Sequence, residues 1–214
     1  MDRLRPPLEP RVGDALEPID AAALEDEERC EGVEVTGAGE VAVRSLTLDS
    51  ARVRGSLAGA RLADLHLGDT AVEATDLANL RAPKAALRRV AIARARLTGA
   101  DLGEASLRDV TFEGCRIDLA NLTAARMERV VFADCDLRES SFAEAVLRDV
   151  CFERCDVGGA DLARVRLQRV ELRGCRLDGI RSVENLRGAA MAWEDIVGNA
   201  GLFAAALGIR AAEA

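Results

Sequence analysis

Aromatic residues are nearly absent from this sequence: no tyrosine, one tryptophan (Trp193) and five phenylalanines make up 3% of its 214 residues. That scarcity excludes a sheet or pocket built on aromatic packing and a platform on which bases could stack. Histidine is scarcer still. With His66 alone, metal sites and mechanisms that need two histidines are excluded. No GxxxxGK[ST], GxGxxG or GxSxG motif is present, and spacing singles out no pair of carboxylates as an acid/base couple. Neither an enzyme nor a cofactor or metal is expected. Long apolar runs are missing too. The longest, around residues 201–209, is far shorter than a membrane span, and MDRLRPPLEP lacks the basic start and apolar core of a secretory signal. A cytoplasmic protein without membrane contact is expected. The six cysteines include no CxxC pair, so they lack the close spacing of zinc ligands and are expected as reduced thiols. Nor is there an excess of positive charge: 37 acidic against 29 basic residues give a net of -8, which argues against direct binding of nucleic acid.

What is abundant is repetition. From Leu57 to Leu177 every fifth residue is apolar, 25 in succession, and two residues before each stands a second position held mostly by Ala, Val, Cys, Thr or Ser. A period of five matches neither the 3.6 of a helix nor the 2.0 of a strand, so the chain must turn once per unit. A longer interval of twenty runs through the same positions: Cys115, Cys135, Cys155 and Cys175; Val90, Val110, Val130, Val150 and Val170; Phe112, Phe132 and Phe152. Like residues stack on like when successive coils lie in register. Four five-residue sides therefore close each coil, and the prediction is an all-β solenoid of about seven twenty-residue coils. Upstream, Val43, Leu48 and Val53 keep the step in a shifted phase, because Val53 to Leu57 is only four residues. A local irregularity is expected at Arg54-Gly55-Ser56.

The stretches ADLGEASLRDV and GADLARVRLQRVELRGCRL resemble the pentapeptide-repeat family, and the resemblance covers roughly residues 41–180. It implies a right-handed quadrilateral β-helix and, as in bacterial members, a helical C-terminal cap through which two chains can dimerise. The best-known activity of that family is inhibition or protection of type II DNA topoisomerases by rod-shaped dimers that imitate duplex DNA.

Three segments follow. Residues 1–40 hold four of the five prolines, Pro6, Pro7, Pro10 and Pro18, and the acidic run Glu25-Asp26-Glu27-Glu28; they are expected to be partly disordered, above all before Leu16, or to lie across the first coil as a cap. Residues 41–180 form the β-helix. Residues 181–214 read as two short helical pieces broken near Gly198–Gly201 that cover the open end of the solenoid. In them Trp193, Ile196, Phe203 and Leu207 are candidates for packing the cap onto the last coil or for joining two copies.

Outward positions carry a second pattern. Asp69, Arg89, Asp109, Arg129, Asp149 and Arg169 alternate in sign at intervals of twenty, which predicts an exposed ladder on a flat β face with each arginine between two aspartates. The same side carries Arg88, Arg108, Arg126, Arg148 and Arg166, a candidate surface for an acidic protein partner. His66, just before Leu67, and Cys151, just before Phe152, point outward. Charge is distributed unevenly along the chain: residues 1–40 hold 12 acidic and 4 basic side chains, residues 41–180 hold 21 and 22, and residues 181–214 hold 4 and 3. A DNA mimic needs a strongly negative rod, whereas this rod is nearly neutral. The favoured expectation is thus a non-enzymatic scaffold that binds a macromolecule through a flat side, with DNA mimicry toward a type II topoisomerase as the alternative.

Overall fold

In a computed structural model of the chain, residues 4–38, 41 and 43–210 are described. Twelve strands pair in parallel throughout: β1 (Glu17–Asp20), β2 (Glu28–Glu31), β3 (Val33–Thr36), β4 (Ser45–Asp49), β5 (Arg52–Val53), β6 (Asp64–Glu73), β7 (Ala86–Ala93), β8 (Ser106–Glu113), β9 (Arg126–Ala133), β10 (Val146–Glu153), β11 (Arg166–Arg173) and β12 (Ala190–Met191). Each of β6 to β11 bends at one residue and so lies on two sides of the coil. The first strand side is the stack β2, β4 and the leading halves of β6–β11; the second is β1, β3, β5, the trailing halves, and β12. The other two sides are narrower, held by single bridges such as Arg81 to Asp101 and Arg96 to Arg116, and by turns such as Leu80 N–H to Leu77 O at 3.2 Å.

The five-residue period has a backbone cause. Every fifth residue from Asp69 to Gly179 has a positive φ, between 44° and 68°. Each such left-handed residue turns the chain at a corner, and the residue two before it, the large apolar one, faces inward. Of the 25 predicted inward positions all are buried except Leu167, which packs against the core from its edge. The phenylalanine ladder forms as the twenty-residue interval predicts. Phe112, Phe132 and Phe152 stack with centroids 4.8 and 5.0 Å apart, and Phe142 meets Phe132 and Phe152 edge-on. One apolar void, about 20 Å³, lies between Phe142, Phe152 and Leu186, with room for no more than about one water.

The number of coils differs from the prediction. Ten strand levels stack on the second strand side, from β1 to β12, which makes about nine turns rather than seven. Coils continue upstream of residue 41, but shorter. Ile19 lies beside Val35, sixteen residues on; Val35 lies beside Val53, eighteen on; Val53 lies beside Val72, nineteen on; only from β6 is the step twenty. Coils whose length drifts from sixteen to nineteen residues share no single period with the twenty-residue coils. The expected irregularity is present: Arg54 and Gly55 both donate to Val35 O, at 2.8 and 3.0 Å. A Cβ on Gly55 would stand 2.8 Å from the carbonyl oxygens of Thr36 and Gly37, so only glycine fits this approach.

At the C-terminal end a 3-10 turn (Val183–Leu186), β12, and the helices α1 (Trp193–Gly198) and α2 (Ala200–Ala206) cover the last coil. Asn199 separates the helices. Among the described residues no helix is long and apolar enough to cross a membrane.

Candidate functional site

The alternating ladder sits on the corner between the two strand sides, not on a flat face. All six residues have positive φ, which aims their side chains along the edge. The carboxylates are deeply covered: Asp109 is 4% and Asp149 3% exposed. Pairing is directional. Arg89, Arg129 and Arg169 each reach back one coil and place Nε 2.6 Å from Oδ1 of Asp69, Asp109 and Asp149, with Nη2 on the second oxygen. Each of these arginines forks onto the one aspartate a coil behind it, and Arg129 also reaches Glu128.

The remaining acceptor capacity is taken by the N-terminal segment. Backbone N–H groups of Arg5, Leu8 and Arg11 donate to Oδ1 of Asp149, Asp109 and Asp69, at 3.4, 3.1 and 3.1 Å. Residues 4–11 therefore run lengthwise along the rod, opposite to the direction of stacking. They do not cross the first coil as a cap. Leu4, Pro7 and Pro10 are the half-buried residues of this arm. Pro7, Leu8, Glu9 and Pro10 share a shallow cleft with Ala91, Thr111, Val131 and Ala133 of the second strand side.

These contacts set the ionisation of the ladder. Hydrogen bonds from Arg89 and then the Arg11 amide hold the Asp69 carboxyl below its ordinary value against desolvation, and Arg169 with the Arg5 amide do the same for Asp149. At Asp109 desolvation is the largest influence and raises the value, but Arg129 and the Leu8 amide outweigh it, and the net direction is down.

The predicted arginine surface lies on the first strand side, across the corner from the arm. Arg88, Arg108, Arg126, Arg148 and Arg166 are all exposed. Arg108 comes within 4.0 Å of Asp109 and 3.9 Å of Glu128. The other four form no ion pair among the described residues. They do not converge on one point: Arg88, Arg108 and Arg148 share one column, interrupted by Glu128, while Arg126 and Arg166 share the neighbouring column with Ser106 and Val146.

The cysteines serve the core. All six are buried and none is in a disulfide. Sγ of Cys115, Cys135, Cys155 and Cys175 lies 3.2 to 3.6 Å from two carbonyl oxygens each, on its own coil and the preceding one. Thr75 Oγ1, in the same column, bonds Val53 O and Glu73 O in the same manner. The flanking thiols of Cys115 and Cys155, with burial, push the Cys135 thiol well above its ordinary value. Cys151, though at an outward strand position, is also buried, and desolvation raises its thiol. His66 is exposed, with Nε2 2.7 Å from Asp64 Oδ1. Among the described residues no three His, Cys, Asp or Glu side chains gather to hold a metal ion.

At the C-terminal end Trp193, Ile196, Phe203 and Leu207 divide. Phe203 is half-buried against the core and Ile196 is half-buried in the apolar cleft shared by Leu186 and Met191. Trp193 and Leu207 are 72% and 74% exposed, with Val197 and Ile209 exposed nearby in sequence.

The arm contacts were beyond sequence reasoning because main-chain amides make them. Their one trace is that prolines occupy positions 6, 7 and 10 and spare 5, 8 and 11.

Comparison with known proteins gives the following. The family model for a pentapeptide repeat region matches residues 105–181, and that for pentapeptide repeats in eight copies matches residues 85–123. A pentapeptide repeat protein of the Arabidopsis thaliana thylakoid lumen is similar, at 21% identity over 44% of this chain and 65% of that one, TM-score 0.42; the chain thus spans just under two thirds of that protein. HetL, a pentapeptide repeat protein involved in heterocyst differentiation regulation in the cyanobacterium Nostoc, is 20% identical over 78% of this chain and 90% of its own, TM-score 0.42. QnrB1, a plasmid-mediated fluoroquinolone resistance protein, is 15% identical over 87% and 99%, TM-score 0.37. No curated protein matches the sequence.

Proposed function

We propose that this chain, whose residues 85–181 match pentapeptide-repeat models, is a non-enzymatic cytoplasmic scaffold whose rod binds an acidic protein surface through the first strand side. The observation that carries this reading is the set of exposed guanidinium groups, Arg88, Arg126, Arg148 and Arg166, that form no ion pair among the described residues, on a parallel sheet. The neighbouring corner arginines, by contrast, are fully engaged. Arginine is enriched where flat interfaces carry their energy, and its fork matches carboxylates. Reversing charge at Arg88, Arg108 and Arg148 to Glu is expected to remove the partner from a quantitative pulldown while the far-UV circular dichroism is retained. An unchanged set of captured proteins removes this side from contention.

DNA mimicry toward a type II topoisomerase ranks second. The negative charge is concentrated at one end: residues 17–40 contain nine acidic side chains and one basic, whereas residues 41–180 are balanced. A positive DNA groove calls for a negative surface along the length of the rod. The protein is expected not to inhibit supercoiling by gyrase at low micromolar concentration, and clear inhibition reverses the order of the two readings.

A further inference from the structure

The acidic members of the ladder recur at forty residues, two coils apart. Two coils advance about 9.6 Å at strand spacing. A polyproline II strand advances about 9.3 Å per turn of three residues. An extended strand presents like-facing amides about every 6.6 Å, which fits neither one coil nor two. The alternation Asp-Arg-Asp therefore spaces acceptors at the repeat of a polyproline II helix. Residues 4–11 follow that repeat in three ways. Their amides at positions 5, 8 and 11 meet successive aspartates, always at Oδ1. Their half-buried residues are 4, 7 and 10. Their prolines are confined to positions 6, 7 and 10, where no donor is needed. Beside the aspartates the second strand side presents the uncharged column Ala71, Ala91, Thr111, Val131 and Cys151, and Pro7 and Pro10 share a cleft with Ala91, Thr111 and Val131 of that column and with Glu113.

We propose that this edge, the carboxylates of Asp69, Asp109 and Asp149 with the uncharged column beside them, is a docking site for a polyproline II segment of a partner protein, and that the chain's own residues 4–11 keep it filled until such a segment displaces them. Main-chain amides supply the contacts, so the site reads proline spacing: a ligand must leave every third amide free over at least seven residues. Aromatic-lined grooves bind polyproline II segments by stacking on the rings; in this aromatic-poor chain a ladder of carboxylates takes that role. The site lies across the corner from the arginine side and stands or falls separately from it.

Two measurements on the full-length protein test the proposal. Amide hydrogen exchange by NMR is expected to show Arg5, Leu8 and Arg11 protected at least tenfold over Leu4, Glu9 and Val12 beside them; equal exchange at all six overturns the docking mode. A fluorescent peptide of residues 1–14 is then titrated into wild type and into the variant carrying Leu8→Pro and Arg11→Pro, which removes two donors from the resident arm and leaves the edge intact. At least tenfold tighter binding to the variant is expected. A second peptide with proline at positions 5, 8 and 11 is expected to bind at least tenfold more weakly than the first. No binding to the variant, or equal binding of both peptides, overturns the proposal. Binding that is unaffected when Asp109→Asn is added to the variant places the peptide elsewhere and overturns it as well.

Discussion

At the scale of single residues the two kinds of ion pair in this rod differ by context, not by chemistry. Asp109 and Arg129 have side chains only 4% and 14% exposed, whereas Asp134 and Arg154 are 50% and 56% exposed with the same bidentate geometry. Removing one partner of a covered pair strands the other, while an exposed partner finds water. Asp109→Ala is therefore expected to cost about 2 kcal/mol, and Asp134→Ala no more than about 0.5 kcal/mol, in urea unfolding. The same carboxylates set the acid limit. Asp69, Asp109 and Asp149 all ionise below the ordinary value of 3.8. A lowered folded value gives stability that is complete above the unfolded value and is lost as pH falls through the folded one. Melting temperature is expected to be insensitive to these groups from pH 5 to 8, on the scale of that linkage, and to decline below 3.8. In the Asp109→Ala protein the decline is shallower, and an equal decline in both proteins contradicts the assignment.

At the scale of the element, regularity decides what can be inferred. The twenty-residue columns predicted the Phe stack and the buried thiols because each inward residue has one fixed neighbour above and one below. Phe132, between Phe112 and Phe152 and wholly buried, is expected to cost about 4 kcal/mol when changed to Ala, as a large cavity opens between layers that cannot close. A loss below that of an exposed substitution, read from denaturant midpoints, contradicts this packing. The first coils were illegible for the opposite reason. Their lengths drift from sixteen to nineteen residues, and no single period captures them. The ladder was visible as a sign alternation, but its depth was not. Spacing places a side chain in a column, and only the positive φ at the corner aims it along the edge.

At the scale of the molecule, the rod has unlike ends. The β1–β3 end gathers the acidic residues, and the other end exposes Trp193, Val197, Leu207 and Ile209. We propose that this apolar end joins two copies of the chain. Sedimentation equilibrium is expected to give a concentration-dependent dimer. Trp193→Glu with Leu207→Glu weakens it at least tenfold, while unfolding free energy stays within about 0.5 kcal/mol, as for other exposed substitutions. A monomer at all concentrations removes dimerisation and leaves these residues as exposed parts of the cap.

The sequence by itself determined the coil, its four sides and the contents of its core, because inward positions obey a period that each residue type must satisfy locally. Tertiary structure alone decided where the outward residues act. Whether Asp109 is a solvated charge or a covered acceptor depends in part on an arm a hundred residues away in sequence, bound through backbone amides whose trace in the sequence is the spacing of prolines. Whether Trp193 packs or protrudes depends on where a six-residue helix meets the last coil.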